Sequence, residues 1–226
     1  MEPRLLQLLR IVVDEYVANA EPVGSQFVVE SHDLGVSSAT VRNWFALLEE
    51  EECLVQPHTS GGRIPTEKGF RLYIEQFVPE KVASKKDREA LERAALMPAD
   101  DGRRLKSLAK SLAELSGLAA FAGLSEADTY YTGLSQLFAQ PEFRDSQRVI
   151  NLSEILDHLD ETLAVLRDRS FTRPQILLGQ DCPFGPSCGA IIASHGTDLI
   201  GLLGPLRMDY AQARALMISA LNALHG

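Results

Sequence analysis

The sequence predicts an α+β protein in two parts, and three observations carry that expectation. Over the first 78 residues apolar side chains recur at helical spacing, with one short strand-like run among them. From about residue 118 onward, helical stretches alternate with short apolar runs bounded by glycine, proline and polar residues. A charged stretch, 79–118, lies between. The size fits: 226 residues suit one large or two small domains and are enough for a hydrophobic core without disulfides.

Residues 4–19 read as a helix, with Leu5, Leu9, Val12 and Tyr16 on one face. Glu21-Pro22-Val23-Gly24 breaks it, since proline disfavours helix in the residue before it. Ser25 is placed to cap a short second helix running to about His32. Asp33-Leu34-Gly35 is a tight turn in which Gly35 can take positive φ. A third helix follows, about Ser38 to Glu52, with Val41, Phe45 and Leu48 inward and Ser37 or Ser38 as its cap. Leu54-Val55-Gln56 is a short strand. A polar, glycine-rich loop over 57–63 is closed by Ile64-Pro65, and Thr66 caps a fourth helix carrying Phe70, Tyr73, Ile74 and Phe77.

The stretch that follows, 79–110, holds nine basic residues from Lys81 to Lys110 against six acidic ones. It reads as two helices, near 85–97 and 101–117, split around Pro98. A solvated amphipathic linker is the plain reading, and additional phosphate contact the sharper one. Beyond it, Ala119–Leu124, Thr129–Thr132, Gln175–Gly179, Ala190–Ser194 and Leu199–Leu203 read as strands. Residues 147–169 read as one helix, and Met208–Leu224 as the last.

Composition narrows the function. There are 22 basic and 31 acidic residues and a net charge of −9, so a polyanion binder that works by bulk charge is disfavoured. The first 78 residues alone hold six basic and twelve acidic side chains. The N-terminus is charged and no run approaches a membrane span, which predicts a cytoplasmic protein with no membrane partner. Three cysteines, none in a Cys-x-x-Cys pair, fit a reducing compartment.

What remains is placement. Helix, turn, helix and a two-stranded loop follow the order of a winged helix-turn-helix, with the third helix in the major groove. The start of that helix is small and polar: Ser37, Ser38, Ala39, Thr40. Its free N–H groups and dipole suit a phosphate. Arg42 can pair bidentately with guanine and Asn43 with adenine. Between residues 35 and 48 the only charge is Arg42, and between 53 and 66 the only one is Arg63. The helix ends in Glu49-Glu50-Glu51-Glu52, which must point away from DNA. In the loop, His58, Thr59, Ser60 and Arg63 are expected to reach phosphates or a minor groove. Ser25, Lys68 and Arg71 are further backbone-contact candidates. Helix-turn-helix patterns also serve as plain packing units, and on charge alone the two readings stand level.

The segments GVSSATVRN and QPHTSGGRIPTEKGFRLY resemble the N-terminal domain of the HrcA family of bacterial heat-inducible transcription repressors. Downstream, YYTGLSQLFAQPEF and GLLGPLRMDYAQA resemble two further segments of that family, in the same order. The resemblance implies a winged helix over 1–78 and a basic helical linker, with the first helix of the second part, over 79–118. It implies a reduced GAF-like regulatory and dimerisation domain over 119–226. It implies a repressor of chaperone operons that binds the CIRCE inverted repeat of double-stranded DNA as a homodimer. It also implies maintenance by the GroEL chaperonin, derepression on stress, and no cofactor. Gly204, Pro205, Arg207, Met208, Asp209 and Tyr210 match a family signature. Their structural reading has Asp209 capping the last helix and Arg207 pairing with a carboxylate. The chain departs from the family at Trp44, usually Asp, where the side chain either shields the core or touches DNA, and at Phe45, usually Met. It is also shorter between about 120 and 130, where the family carries an inserted subdomain.

Other constellations are weaker. Cys182 and Cys188, with His195 and Asp198, invite a thiol enzyme or a metal site, but Cys-x5-Cys is no standard zinc spacing. The same loop lacks the Gly-Lys-Ser/Thr of a phosphate-binding loop. A small-molecule-sensing GAF-type regulator or a thiol enzyme is therefore the alternative to a repressor, and no metal is expected.

Overall fold

Seventeen residues, Pro3–Asn19, form α1 in the computed structural model, which describes residues 1–57, 61–97, 102–124, 128–167 and 169–225. Proline opens this helix, where its missing N–H costs nothing. The buried face is wider than the predicted stripe, since Leu8, Ile11 and Val13 join Leu5, Leu9 and Val12. The chain divides into two compact units, Met1–Val78 and Pro79–Gly226. Both mix helices with antiparallel strands, an α+β architecture. No helix among the described residues is long and apolar enough to cross a membrane.

In the first unit, α2 (Ser25–Ser31) is preceded by Gly24 as its N-cap. Ser25 was expected to cap this helix. It lies instead at the first helical position, and its hydroxyl makes no cap bond. After a turn with Gly35 at φ 63°, α3 (Ser38–Glu50) begins on a Ser37 hydroxyl that accepts the Thr40 N–H at 3.2 Å. Val41, Phe45 and Leu48 are buried. The helix stops two residues before the predicted Glu52, which takes a left-handed φ of 56°. Consecutive carboxylates at the negative end of a helix disfavour its extension.

Strands β1 (Leu54–Val55) and β2 (Ile64–Pro65) pair antiparallel, with Leu54 opposite Pro65. Arg63 extends the pairing by exchanging two 2.9 Å backbone hydrogen bonds with Val23. Gly62 permits that approach, because a Cβ there would stand 2.3 Å from the Val23 carbonyl. Thr66 caps α4 (Glu67–Phe77), which buries Phe70 and Ile74. The Tyr73 hydroxyl donates to Asp14 at 2.6 Å and ties α4 to α1.

The second unit is built on one antiparallel sheet of five strands in the order β4-β3-β7-β6-β5. These are β3 (Ala119–Gly123), β4 (Thr129–Thr132), β5 (Gln175–Leu178), β6 (Cys188–His195) and β7 (Asp198–Pro205). Strands β3, β6 and β7 are buried along nearly their whole length, so both faces of the sheet are covered. One cover consists of α5 (Lys85–Ala95), α6 (Arg103–Ser116) and α10 (Tyr210–His225). The other consists of α7 (Leu134–Phe138), a 3-10 turn at Pro141–Arg144, α8 (Ser146–Asp157) and α9 (Leu159–Arg167), packed on Phe121, Ile192 and Leu199.

The stretch read as a solvated linker is thus part of the cover that includes α10. Leu91, Leu105, Leu108 and Leu112 are buried, each at the spacing of an apolar helical stripe. Its many charges ride on the opposite side. The break expected at Pro98 lies outside the described residues.

Candidate nucleic-acid interface

The surface of α3 is set by its inward face. With Val41, Phe45 and Leu48 buried, residues 39, 42, 43 and 46 turn outward, and Ala39, Arg42 and Asn43 are exposed. Ser37 is exposed and Ser38 and Thr40 are half-buried at the helix tip, where N–H groups of the first turn have no intrahelical acceptor. The Arg42 Nε donates to the Ser25 hydroxyl at 3.4 Å, so α2 steadies the guanidinium from the side. Ser25, Arg42 and the α3 tip are therefore brought together.

Arg63 is not where the loop reading put it. It was expected to be carried outward. Instead its side chain is 19% exposed and turns back on α3, with Nε 3.0 Å from Glu49 as an ion pair rather than an aligned hydrogen bond. The guanidinium carbon stands 5.7 Å from the centre of the Phe45 ring. The bridge to Val23 holds the Arg63 backbone close to this helix, and a carboxylate with an aromatic face is a better partner there than water. His58, Thr59 and Ser60 lie outside the described residues. Lys68 is exposed but pairs with Glu52 at 3.3 Å, and Arg71 pairs with Glu67 at 2.6 Å. Two of the four glutamates that end α3 are thus engaged by cations.

Arg4 was not anticipated. It lies 5.7 Å from the centre of the Trp44 ring, so that side chain carries a cation on its face. Nothing in the spacing of residues 4 and 44 announces the pair.

In the second unit the segment Gly204 to Tyr210 closes β7 onto α10. Arg207 Nη2 donates to Gln140 at 2.9 Å and to Glu142 at 3.3 Å, and its Nε also donates to Glu142. The Arg207 and Glu142 side chains are only 11% and 13% exposed. Asp209 accepts the Gln212 N–H at 2.9 Å, as a helix cap does. The Tyr210 hydroxyl donates to the Leu206 carbonyl at 2.6 Å, and a Cβ at Gly189 would stand 2.4 Å from that hydroxyl. Met208 is buried, Gly204 packs against it, and Pro205 ends the strand opposite Cys188. These residues join distant segments. The partners Gln140 and Glu142 were missed because they lie some 65 residues away in sequence.

The cysteine constellation does not assemble. Cys182 and Cys188 lie in the apolar core, and burial pushes both thiols up to about 12. His195 stands at the far end of the eight-residue β6 from Cys188, roughly 23 Å away at strand rise, with its ring 5.3 Å from that of His225.

Comparison with known proteins agrees with this architecture. The family model described as the HrcA protein C terminal domain matches residues 72–213. The heat-inducible transcription repressor HrcA of Arthrobacter sp. (strain FB24) is 53% identical over 91 residues, covering 40% of this chain and 27% of that protein. The one from Clavibacter michiganensis subsp. michiganensis is 37% identical over 177 residues, covering 74% of this chain and 52% of that protein. The chain thus matches about half the length of this relative at most. A crystal structure described as that of a hypothetical protein has the same fold, with a TM-score of 0.81 at 18% identity, covering 99% of this chain and 97% of that one. The chain belongs to the HrcA family.

Proposed function

We propose that the chain is a DNA-binding transcription repressor of heat-shock operons. The first unit acts as a winged helix-turn-helix and the second as a reduced GAF-like regulatory and dimerisation domain. The carrying observation is the tip of α3: an exposed, small, uncharged surface with Arg42 as its one cation between residues 35 and 48. A helix of this kind can enter a major groove without steric or electrostatic conflict, although the first unit is acidic as a whole. Arg42 reads a guanine and Asn43 an adjacent base. Ser37, Ser38 and Ala39 bring backbone N–H groups to a phosphate, with the Thr40 N–H held by the Ser37 hydroxyl. Ser25 holds Arg42 in register, and Lys68 is a weaker backbone contact. Arg63 is a strut that fixes the hairpin rather than a groove-reaching cation.

Family membership supplies the biological setting. The curated relatives are heat-inducible transcription repressors by name. On this reading the operator is the CIRCE inverted repeat, bound in the cytoplasm by a homodimer with one α3 in each half-site. The GroEL chaperonin sustains the active form, and its diversion to unfolded protein under stress relieves repression. A gel shift with a CIRCE palindrome and a scrambled duplex at one stated salt concentration tests this. A complex of two chains on the palindrome alone is expected. Equal retardation of both duplexes would refute sequence-specific binding.

A further inference from the structure

Along the C-terminal half of α10 runs a cleft of about 310 Å³, wholly within the second unit. Arg214, Ile218, Leu221 and His225 line it at helical spacing, so one stripe of the helix presents a cation, two apolar side chains and an imidazole in sequence. The facing wall is the segment before β5, where Arg173 and Pro174 contribute. Arg173 is exposed and makes no ion pair or hydrogen bond among the described residues. Against two guanidiniums and an imidazole, the lining offers a single carboxylate, Glu80.

Three exposed arginines elsewhere, Arg4, Arg10 and Arg71, sit on carboxylates. Arg173 sits on none, and beside it the cleft has an apolar floor. A guanidinium offers a planar fork that matches carboxylate or phosphate oxygens. Ile218, Leu221 and Pro174 offer no polar group and suit a hydrocarbon body. The volume lies at the lower end of the range for small-molecule sites.

We propose that this cleft binds a small amphipathic anion, with its acidic head on Arg173 and Arg214 and its apolar body on Ile218 and Leu221. The site lies wholly within the second unit and stands whether or not the repressor reading holds.

Titration calorimetry on the full chain tests it with three probes of equal chain length: octanoate, octyl phosphate and octanol. Saturable one-to-one binding is expected for at least one of the anions, with octanol at least about tenfold weaker. The stronger anion then identifies the headgroup. Arg173→Gln, which removes an exposed and unpaired side chain, should weaken that binding by at least about tenfold. Arg88→Gln, in a different cleft, should leave it unchanged. Absence of saturable binding by both anions, equal binding of octanol, or indifference to Arg173→Gln would each overturn the proposal.

Discussion

Arg42 and Arg63 are each the only charge in their stretch of sequence, yet the fold treats them differently. Arg42 is exposed on α3 with a single long hydrogen bond to Ser25, whereas Arg63 is folded onto Glu49 and Phe45. Arg42→Ala should therefore cost about 1–3 kcal/mol of operator binding and relax preference at one base pair, as read by competition with single-site operator variants. Arg63→Ala should instead lower the unfolding free energy by about 0.5–2 kcal/mol and leave the salt dependence of DNA binding unaltered. A salt slope that falls by about one on removing Arg63 would show that it contacts a phosphate. The two core cysteines make a separate prediction. Their folded pKa of about 12 exceeds the ordinary 9.0, so the unfolded chain ionises first as pH rises. Their contribution to stability is complete below pH 9.0 and declines from there toward 12. Urea unfolding across alkaline pH should fall more steeply for the native protein than for a variant with Cys182→Ala and Cys188→Ala. Parallel curves would contradict the burial of these thiols.

At the scale of elements, the junction of β7 with α10 depends on the Arg207–Glu142 pair. Arg207→Ala leaves a buried carboxylate without its partner and should cost about 3–5 kcal/mol in denaturant unfolding. Adding Glu142→Gln should recover part of that loss. An unaltered midpoint for Arg207→Ala, together with lost dimerisation or chaperonin response, would assign the residue to regulation instead. The sequence shows most of these elements, because caps and apolar stripes are local signals. Ser37 and Thr66 announce α3 and α4 directly. Three features were hidden for physical reasons. Residues 149, 152, 156, 159, 163 and 166 keep helical spacing straight through His158, so periodicity alone cannot see that α8 ends and α9 begins there. The five residues of α7 are too few to show a period. In α5 and α6 the density of charge masked a stripe that packs on the sheet. At the candidate site, the helix tip was legible from residue size and charge. The fates of Arg63 and Arg4 were not, because each is decided by a partner brought in by the tertiary fold.

For the molecule as a whole, a net charge of −9 would set the terms of the proposed DNA binding. On the proposed reading, that charge gives no long-range attraction to a polyanion, so affinity would come from the few contacts at the helix tip and nonspecific binding should be weak. A dimer on an inverted repeat would double those contacts without adding any bulk positive charge. The most direct test is fluorescence anisotropy with a labelled CIRCE duplex and its scrambled counterpart at physiological salt, for the native chain and Arg42→Ala. Binding to the palindrome by two chains is expected, at least about a hundredfold tighter than to the scrambled duplex, with most of that preference lost in Arg42→Ala. Equal affinity for the two duplexes, or an Arg42→Ala protein that discriminates as well as the native one, would contradict it.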